Sequence, residues 1–274
     1  MAVTAMWVWD TKIENNADEV DLLRVFCERE GIRTIFYSVY EITVDRELTL
    51  RSLLRAMHRS SIEVHALFGK AEWGLSEFHN EPMGIVRQIL AFNSLAPANE
   101  RFDGIHDDSE VYALATWAFN PLEMLGSYLE LIEGLSDLIG PDLKFGAAVP
   151  FWFTERSLSA SACSRARTLA EEIFFYVDYV AIMAYRDRAF GQGGTIEISK
   201  PFIEIAGAAG KKAYVGQETQ PDLNPSYMSF YGKPASYMRG EFKKIDSYFE
   251  GHSGYAGIAA HRYRTYRALL ESDG

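Results

Sequence analysis

The sequence predicts an α/β fold, a single (β/α)8 TIM barrel spanning residues 1–274. Three observations carry this. Eight short apolar runs alternate with eight helix-patterned stretches. The runs are nearly continuous in hydrophobicity, as strands are when both faces of a parallel sheet are buried. The units recur every 30 to 40 residues or so with no break in composition, a layout that suits one barrel of 274 residues. A doubly wound open sheet is the runner-up, but no strand is followed by Gly-x-Gly-x-x-Gly and there is no P-loop.

The first strand is Ala5–Asp10, ending in an acid. Asp18 can cap a helix to about Glu30, with Val20, Leu23, Phe26 and Cys27 on its apolar stripe and Gly31 closing it. Thr34–Val39 is the second strand. A helix over 46–59 carries Leu50, Leu53, Leu54 and Met57 toward the core. Ile62–Phe68 is the third strand, followed by a loop holding Trp73 and a helix over 82–96. The fourth strand starts at Phe102 and runs into acid. A long loop with Tyr112 and Trp117 precedes a helix with Pro121 near its first turn, stopped by Gly140-Pro141. Leu143–Val149 is the fifth strand, running into Pro150-Phe151-Trp152-Phe153, and a helix is expected over 159–175. Tyr179–Tyr185 is the sixth strand, followed by a helix over 196–209. Lys212–Gly216 is the seventh, followed by a loop rich in Pro, Tyr and Asn and a helix over 235–249. Tyr255–Ala260 is the eighth, ending at His261 before a helix over 263–271.

A net charge of −11 argues against nucleic acid as a partner, because phosphate binding needs clustered Lys and Arg. No apolar run is long enough to insert in a membrane, and no signal peptide is visible ahead of the first strand. Cys27 and Cys163 fall in separate helices and have no metal-ligand neighbours, so neither a disulfide nor a metal site is expected from them. No cofactor is expected. Aromatic residues make up 14% of the chain, and those in loops, Trp73 and Trp152, could stack on sugar rings.

In a barrel the active site lies at the C-terminal ends of the strands. Those ends carry Asp10, Tyr37, Asp108 with Glu110, Trp152, Tyr185 with Arg186, Glu218 and His261. The fourth strand is the densest, with five ionisable groups between Asp103 and Glu110. Alternate strand residues share a face, which would place His106, Asp108 and Glu110 together. Repulsion and partial burial would keep one of them protonated near neutral pH, the condition a general acid needs. Two other readings stand beside this one. The acids could form a structural cluster satisfied by Lys or Arg, or His106, Asp108 and Glu110 could hold a metal ion in a metal-dependent enzyme. His65, in mid-strand, reads as a satisfied core histidine.

The segment Asp103-Gly104-Ile105-His106-Asp107-Asp108-Ser109-Glu110 resembles the D-G-x-D-x-D-x-E strand of glycoside hydrolase family 18, the chitinases and endo-β-N-acetylglucosaminidases. Met183-Ala184-Tyr185 resembles that family's M-x-Y-D on the sixth strand. The resemblance implies Glu110 as proton donor, Asp108 as the acid that positions the substrate's N-acetyl group, and Tyr185 as the hydroxyl that holds it. It implies a retaining, substrate-assisted mechanism on an amino-sugar carbohydrate, and a secreted or cell-envelope location. Asp10, Tyr37, His106, Trp152, Arg186, Glu218 and His261 are then expected to bind substrate. The chain departs from the pattern: His106 replaces the middle Asp, Asp107 and Ser109 a usually apolar and an often aromatic residue, Arg186 the Asp after Tyr185, and His261 the Trp ending the eighth strand. These departures point to a divergent relative acting on another amino-sugar polysaccharide. A barrel that binds carbohydrate without hydrolysing it is the alternative.

Overall fold

The structure, a computed structural model, describes residues 3–156 and 167–272. Eight strands run parallel and pair in chain order: β1 (Val3–Val8), β2 (Thr34–Ser38), β3 (Glu63–Phe68), β4 (Gly104–Asp107), β5 (Lys144–Pro150), β6 (Tyr179–Met183), β7 (Lys212–Glu218) and β8 (Tyr255–His261). β8 pairs back onto β1, closing the barrel. The helices that follow are α1 (Ala17–Glu30), α2 (Val44–Arg59), α3 (Asn80–Ser94), α4 (Pro121–Ile139), α5 (Leu169–Ile173), α6 (Thr195–Ala208), α7 (Ala235–Phe249) and α8 (Tyr263–Glu271).

Local chemistry sets several helix ends. The Asn16 side chain accepts from the Asp18 amide at the start of α1, and Gly31 closes it with φ 79°, a left-handed cap open to glycine. Thr43 caps α2, and Pro121 occupies the first turn of α4. Thr168 and Glu171 form a reciprocal capping box on α5, which makes α5 shorter than the helix expected over 159–175. The part of that helix over 159–166, with Cys163, lies outside the described residues.

The strands divide their side chains between two cores. Ile35, Val64, Ala66, Ile105, Val180 and Val215 belong to the large outer core beneath the helices. A second core of Ala5, Trp7, Phe36, Leu67, Ala148, Tyr179, Ala181 and Ala259 fills the barrel itself. Two buried imidazoles share that interior, His65 and His106. Space for these rings comes from glycines on neighbouring strands. Gly104 pairs with His65, and a Cβ on Gly104 would lie 2.8 Å from His65 Nδ1. Gly146 pairs with Tyr179, whose ring fills the volume a Cβ there would need.

Candidate active site

β4 delivers the acids to the C-terminal mouth. Its ladder persists one residue past its end, since the Asp108 amide donates to Phe68 O at 2.8 Å. Asp108 therefore keeps the inward face of His106. The chain then turns. Asp107, buried against the helix layer, accepts from the Ser109 hydroxyl at 2.7 Å and the Ser109 amide at 3.2 Å, a local turn of the Asx type. Glu110 follows with φ −94° and ψ 66°, outside strand geometry, and enters a 3-10 turn over Val111–Ala113. The expectation of one shared face is corrected here. His106 and Asp108 share a strand face, whereas Glu110 is aimed by the Asp107–Ser109 turn. One Glu110 oxygen, Oε2, accepts from the Tyr112 hydroxyl at 2.8 Å. Burial pushes the Asp107 carboxyl up to about 6, with the Ser109 bonds opposing.

Asp108 is held well above the usual carboxylate range by burial, then by the neighbouring Glu110 and Asp107 charges. Trp7 lies close enough to oppose this shift, yet both Trp7 Nε1 and Asp108 Oδ1 are shielded from solvent without a hydrogen bond. The Tyr185 hydroxyl is also pushed well up, first by burial and then by the fields of Glu218, Asp108 and Glu110. Strands β4, β6 and β7 thus bring their polar ends to one place.

Glu218, at the end of β7, is fully engaged. Oε1 accepts from the amides of Thr219 and Gln220 at 2.7 and 2.8 Å. Oε2 accepts from His261 Nδ1 at 2.7 Å and Gln220 Nε2 at 3.3 Å. On the other side of the His261 ring, Nε2 lies 3.0 Å from Trp9 Nε1. An indole N–H only donates, so His261 Nε2 accepts and the ring proton sits on Nδ1, facing Glu218. The His261 ring centroid is 5.9 Å from that of Tyr185.

The remaining predicted residues separate. Tyr37 is corrected: it faces the helix layer, fully buried, and donates to Glu14 at 2.9 Å, because Phe36 takes the inward position on β2. His106 is also corrected. It lies one pleat below the mouth with no exposed surface, stacked on Phe36 at 3.9 Å between centroids, and cannot touch a substrate at the mouth. Asp10 sits at the rim in an ion pair with Arg264 at 2.7 Å. Burial alone would raise its pKa, but Arg264 and the Lys12 amide outweigh that and hold it low. Trp152 is half-buried and packs edge-on to Tyr112, with Trp117 beside it, so an aromatic wall stands next to the residue that holds Glu110. Arg186 lies between Phe151 and Tyr227, 5.2 and 5.3 Å from their ring centres, and donates to Gly193 O and Tyr185 O. Trp73 is core: it is 3% exposed and its indole donates to Glu81 at 2.7 Å. His65 is buried within 2.7 Å of the Tyr179 hydroxyl. Among the described residues, no three His, Cys, Asp or Glu side chains are arranged to hold one metal ion. Nor is any described helix long and apolar enough to cross a membrane.

Sequence reasoning missed Tyr112, Trp9, Gln220 and the role of Asp107. Only Asp107 carried a readable signal, since Asp followed two residues later by Ser at a strand end is turn chemistry.

The fold is a (β/α)8 barrel, and it is similar to solved barrels that include glycoside hydrolase family 18 enzymes. The spore cortex-lytic enzyme SleL of Bacillus cereus superposes with a TM-score of 0.56 at 10% identity, over 99% of this chain and 74% of that one. A family 18 N-acetylglucosaminidase from Paenibacillus barengoltzii gives 0.55 at 13% identity, over 99% and 98%. A Cycas revoluta family 18 chitinase mutant in complex with (GlcNAc)4 gives 0.51 at 13%, over 80% and 69%. No protein-family model matches the sequence, and no curated protein is similar enough in sequence to match.

Proposed function

We propose that this barrel is a retaining glycoside hydrolase acting on an amino-sugar-containing polysaccharide or oligosaccharide. Glu110 is its general acid and base, and Asp108 and Tyr185 hold the substrate's acetamide. The observation that carries the reading is the convergence at the mouth. The Tyr185 hydroxyl lies in the fields of Asp108, Glu110 and Glu218 at the ends of three strands. Tyr112 holds one Glu110 oxygen, Oε2, which fixes the carboxyl in place for proton delivery. The state of Glu218 argues against a protein nucleophile, because four donors occupy its carboxylate. An acid so engaged attacks poorly, which leaves the substrate's own acetamide as the nucleophile.

In the first step the acetamide oxygen bonds to the anomeric carbon as the glycosidic C–O bond breaks. Glu110 gives its proton to the departing oxygen. In the second step water attacks the anomeric carbon, Glu110 takes a proton from it, and the acetamide is restored. The Trp152, Tyr112 and Trp117 wall offers apolar faces beside the sugar. The shared barrel of a chitinase that binds (GlcNAc)4 lends the reading support from fold alone.

The test is Glu110→Gln, assayed against N-acetylglucosamine oligomers, peptidoglycan strands and N-acetylgalactosamine polymers. Hydrolysis by the wild type should fall by about 10²-fold or more in the variant, the usual share of a general acid. Equal rates would remove Glu110 from the mechanism.

A further inference from the structure

A cavity of about 260 Å³ lies at the rim of the mouth, between the ends of β1 and β8, and the reaction above does not use it. Trp9, Asp10, Arg262, Tyr263 and Arg264 line it. Trp9 ties it to the candidate active site. Its indole N–H donates to His261 Nε2 at 3.0 Å, and His261 Nδ1 in turn donates to Glu218 at 2.7 Å. A group seated against Trp9 is therefore one side chain away from the polar ends gathered at the mouth.

The charges around this cavity are unevenly matched. Arg264 donates through Nε and Nη2 to Asp10 Oδ2 at 3.0 and 2.7 Å, and its Nη1 lies 2.9 Å from Glu19 Oε2. The other Asp10 oxygen accepts from the Lys12 amide at 3.0 Å. Both acids are thus held by Arg264, and neither is left for Arg262. Among the described residues, no ion pair or hydrogen bond involves the Arg262 side chain, and its Nε is buried without a partner. A buried N–H left unpaired is costly, and folded proteins keep few of them without a role. Arg262 also stands at the start of α8, where no side chain caps the first turn. The helix dipole there acts in the same sense as the guanidinium, in favour of an anion.

The lining narrows the kind of anion. A guanidinium binds a planar oxyanion through two parallel N–H···O bonds, which fits a carboxylate. Trp9, half-buried, supplies apolar surface in the same cavity, against which a sugar ring can pack. A carboxylate carried by a sugar joins the two. The net charge of −11 repels polyanions at long range, but screening at physiological salt acts over roughly 8 Å and leaves the nearest cation to decide. We propose that this cavity is a subsite for a sugar-borne carboxylate, with Arg262 as its cation and Trp9 as its apolar wall. The glycan cut at Glu110 then carries carboxylates as well as acetamides. That last statement rests on the hydrolase reading, whereas binding at Arg262 does not.

Isothermal titration calorimetry of the full chain tests this, in Glu110→Gln protein so that cleavage does not interfere. Two acidic tetrasaccharides serve as probes, N-acetylglucosamine alternating with glucuronic acid and N-acetylglucosamine alternating with N-acetylmuramic acid, each beside its carboxyl-reduced form. At least one acidic probe should bind about 10-fold or more tightly than its reduced form, the worth of a hydrogen-bonded charge pair. The probe that shows the preference names the acidic sugar. Adding Arg262→Gln should abolish the preference and leave the affinity for the reduced form unchanged, and Arg262→Lys should restore part of it. Equal affinity for the acidic and reduced forms of both probes, or a preference that survives Arg262→Gln, overturns the proposal. Failure of the hydrolase reading would show separately, as a wild type that cleaves no amino-sugar glycan while the carboxylate preference stands.

Discussion

At the residue scale, adjacent acids do different work because their side chains leave the chain in different directions. Asp107 builds the turn that aims Glu110, while Asp108 faces the interior beside Trp7. Asp107 is fully buried and its carboxyl is raised to about 6. The folded state therefore holds a proton that the unfolded chain, with an ordinary Asp near 3.9, has already lost. Its contribution to stability is present below about pH 4 and is lost as pH rises through about 6. Asp107→Asn keeps an oxygen for Ser109 and cannot ionise. Relative to wild type it should gain up to about 3 kcal/mol between roughly pH 4 and pH 8, read by urea denaturation at the two values. A difference that stays constant with pH would show that the Asp107 charge is not buried in the fold.

At the element scale, the mouth depends on how closely strand ends approach. Gly69 follows β3 and backs onto Asp108 so tightly that a Cβ would run into the Asp108 backbone. Gly69→Ala should destabilise the protein by about 1–3 kcal/mol and displace Asp108. At Gly84 in α3 and Gly126 in α4, an added methyl group would meet nothing within 4 Å. Alanine at either should stabilise by about 0.5–1 kcal/mol, the helix penalty of glycine. Chemical denaturation of the three variants separates them, and a Gly69→Ala protein as stable as the helix variants would contradict the packing described at β4. The elements themselves were legible in the sequence, since a strand buried on both faces reads as an apolar run. Strand facing was less legible. Phe36 and Tyr37 are both aromatic, so nothing in their chemistry marks Phe36 as inward and Tyr37 as outward. Alternation puts Glu110 on the inward face of β4 only if it continues past Asp108, and the turn there has already ended it.

At the scale of the whole molecule, the mouth is assembled from strands far apart in sequence. His65 and Tyr179 are 114 positions apart, and Tyr179 and His106 are 73 apart, so no local pattern could announce the line they form. The same holds for Trp9 and His261, which meet across the β1–β8 closure, His261 in turn bonding Glu218 on β7. Strand-end position gave the address of the candidate site, and motif gave three of its proposed residues, but only the closed barrel shows which polar ends meet. The engagement of Glu218 by four donors carries the largest consequence for the proposed mechanism, which takes the substrate's acetamide as nucleophile. The most direct test is proton NMR of the first product released from an N-acetylhexosamine oligomer that the wild type cleaves. The account predicts that the new reducing end appears first with the anomeric configuration of the bond that was cut. A first product of inverted configuration would contradict it, and would mean that water attacks directly with a protein carboxylate as base.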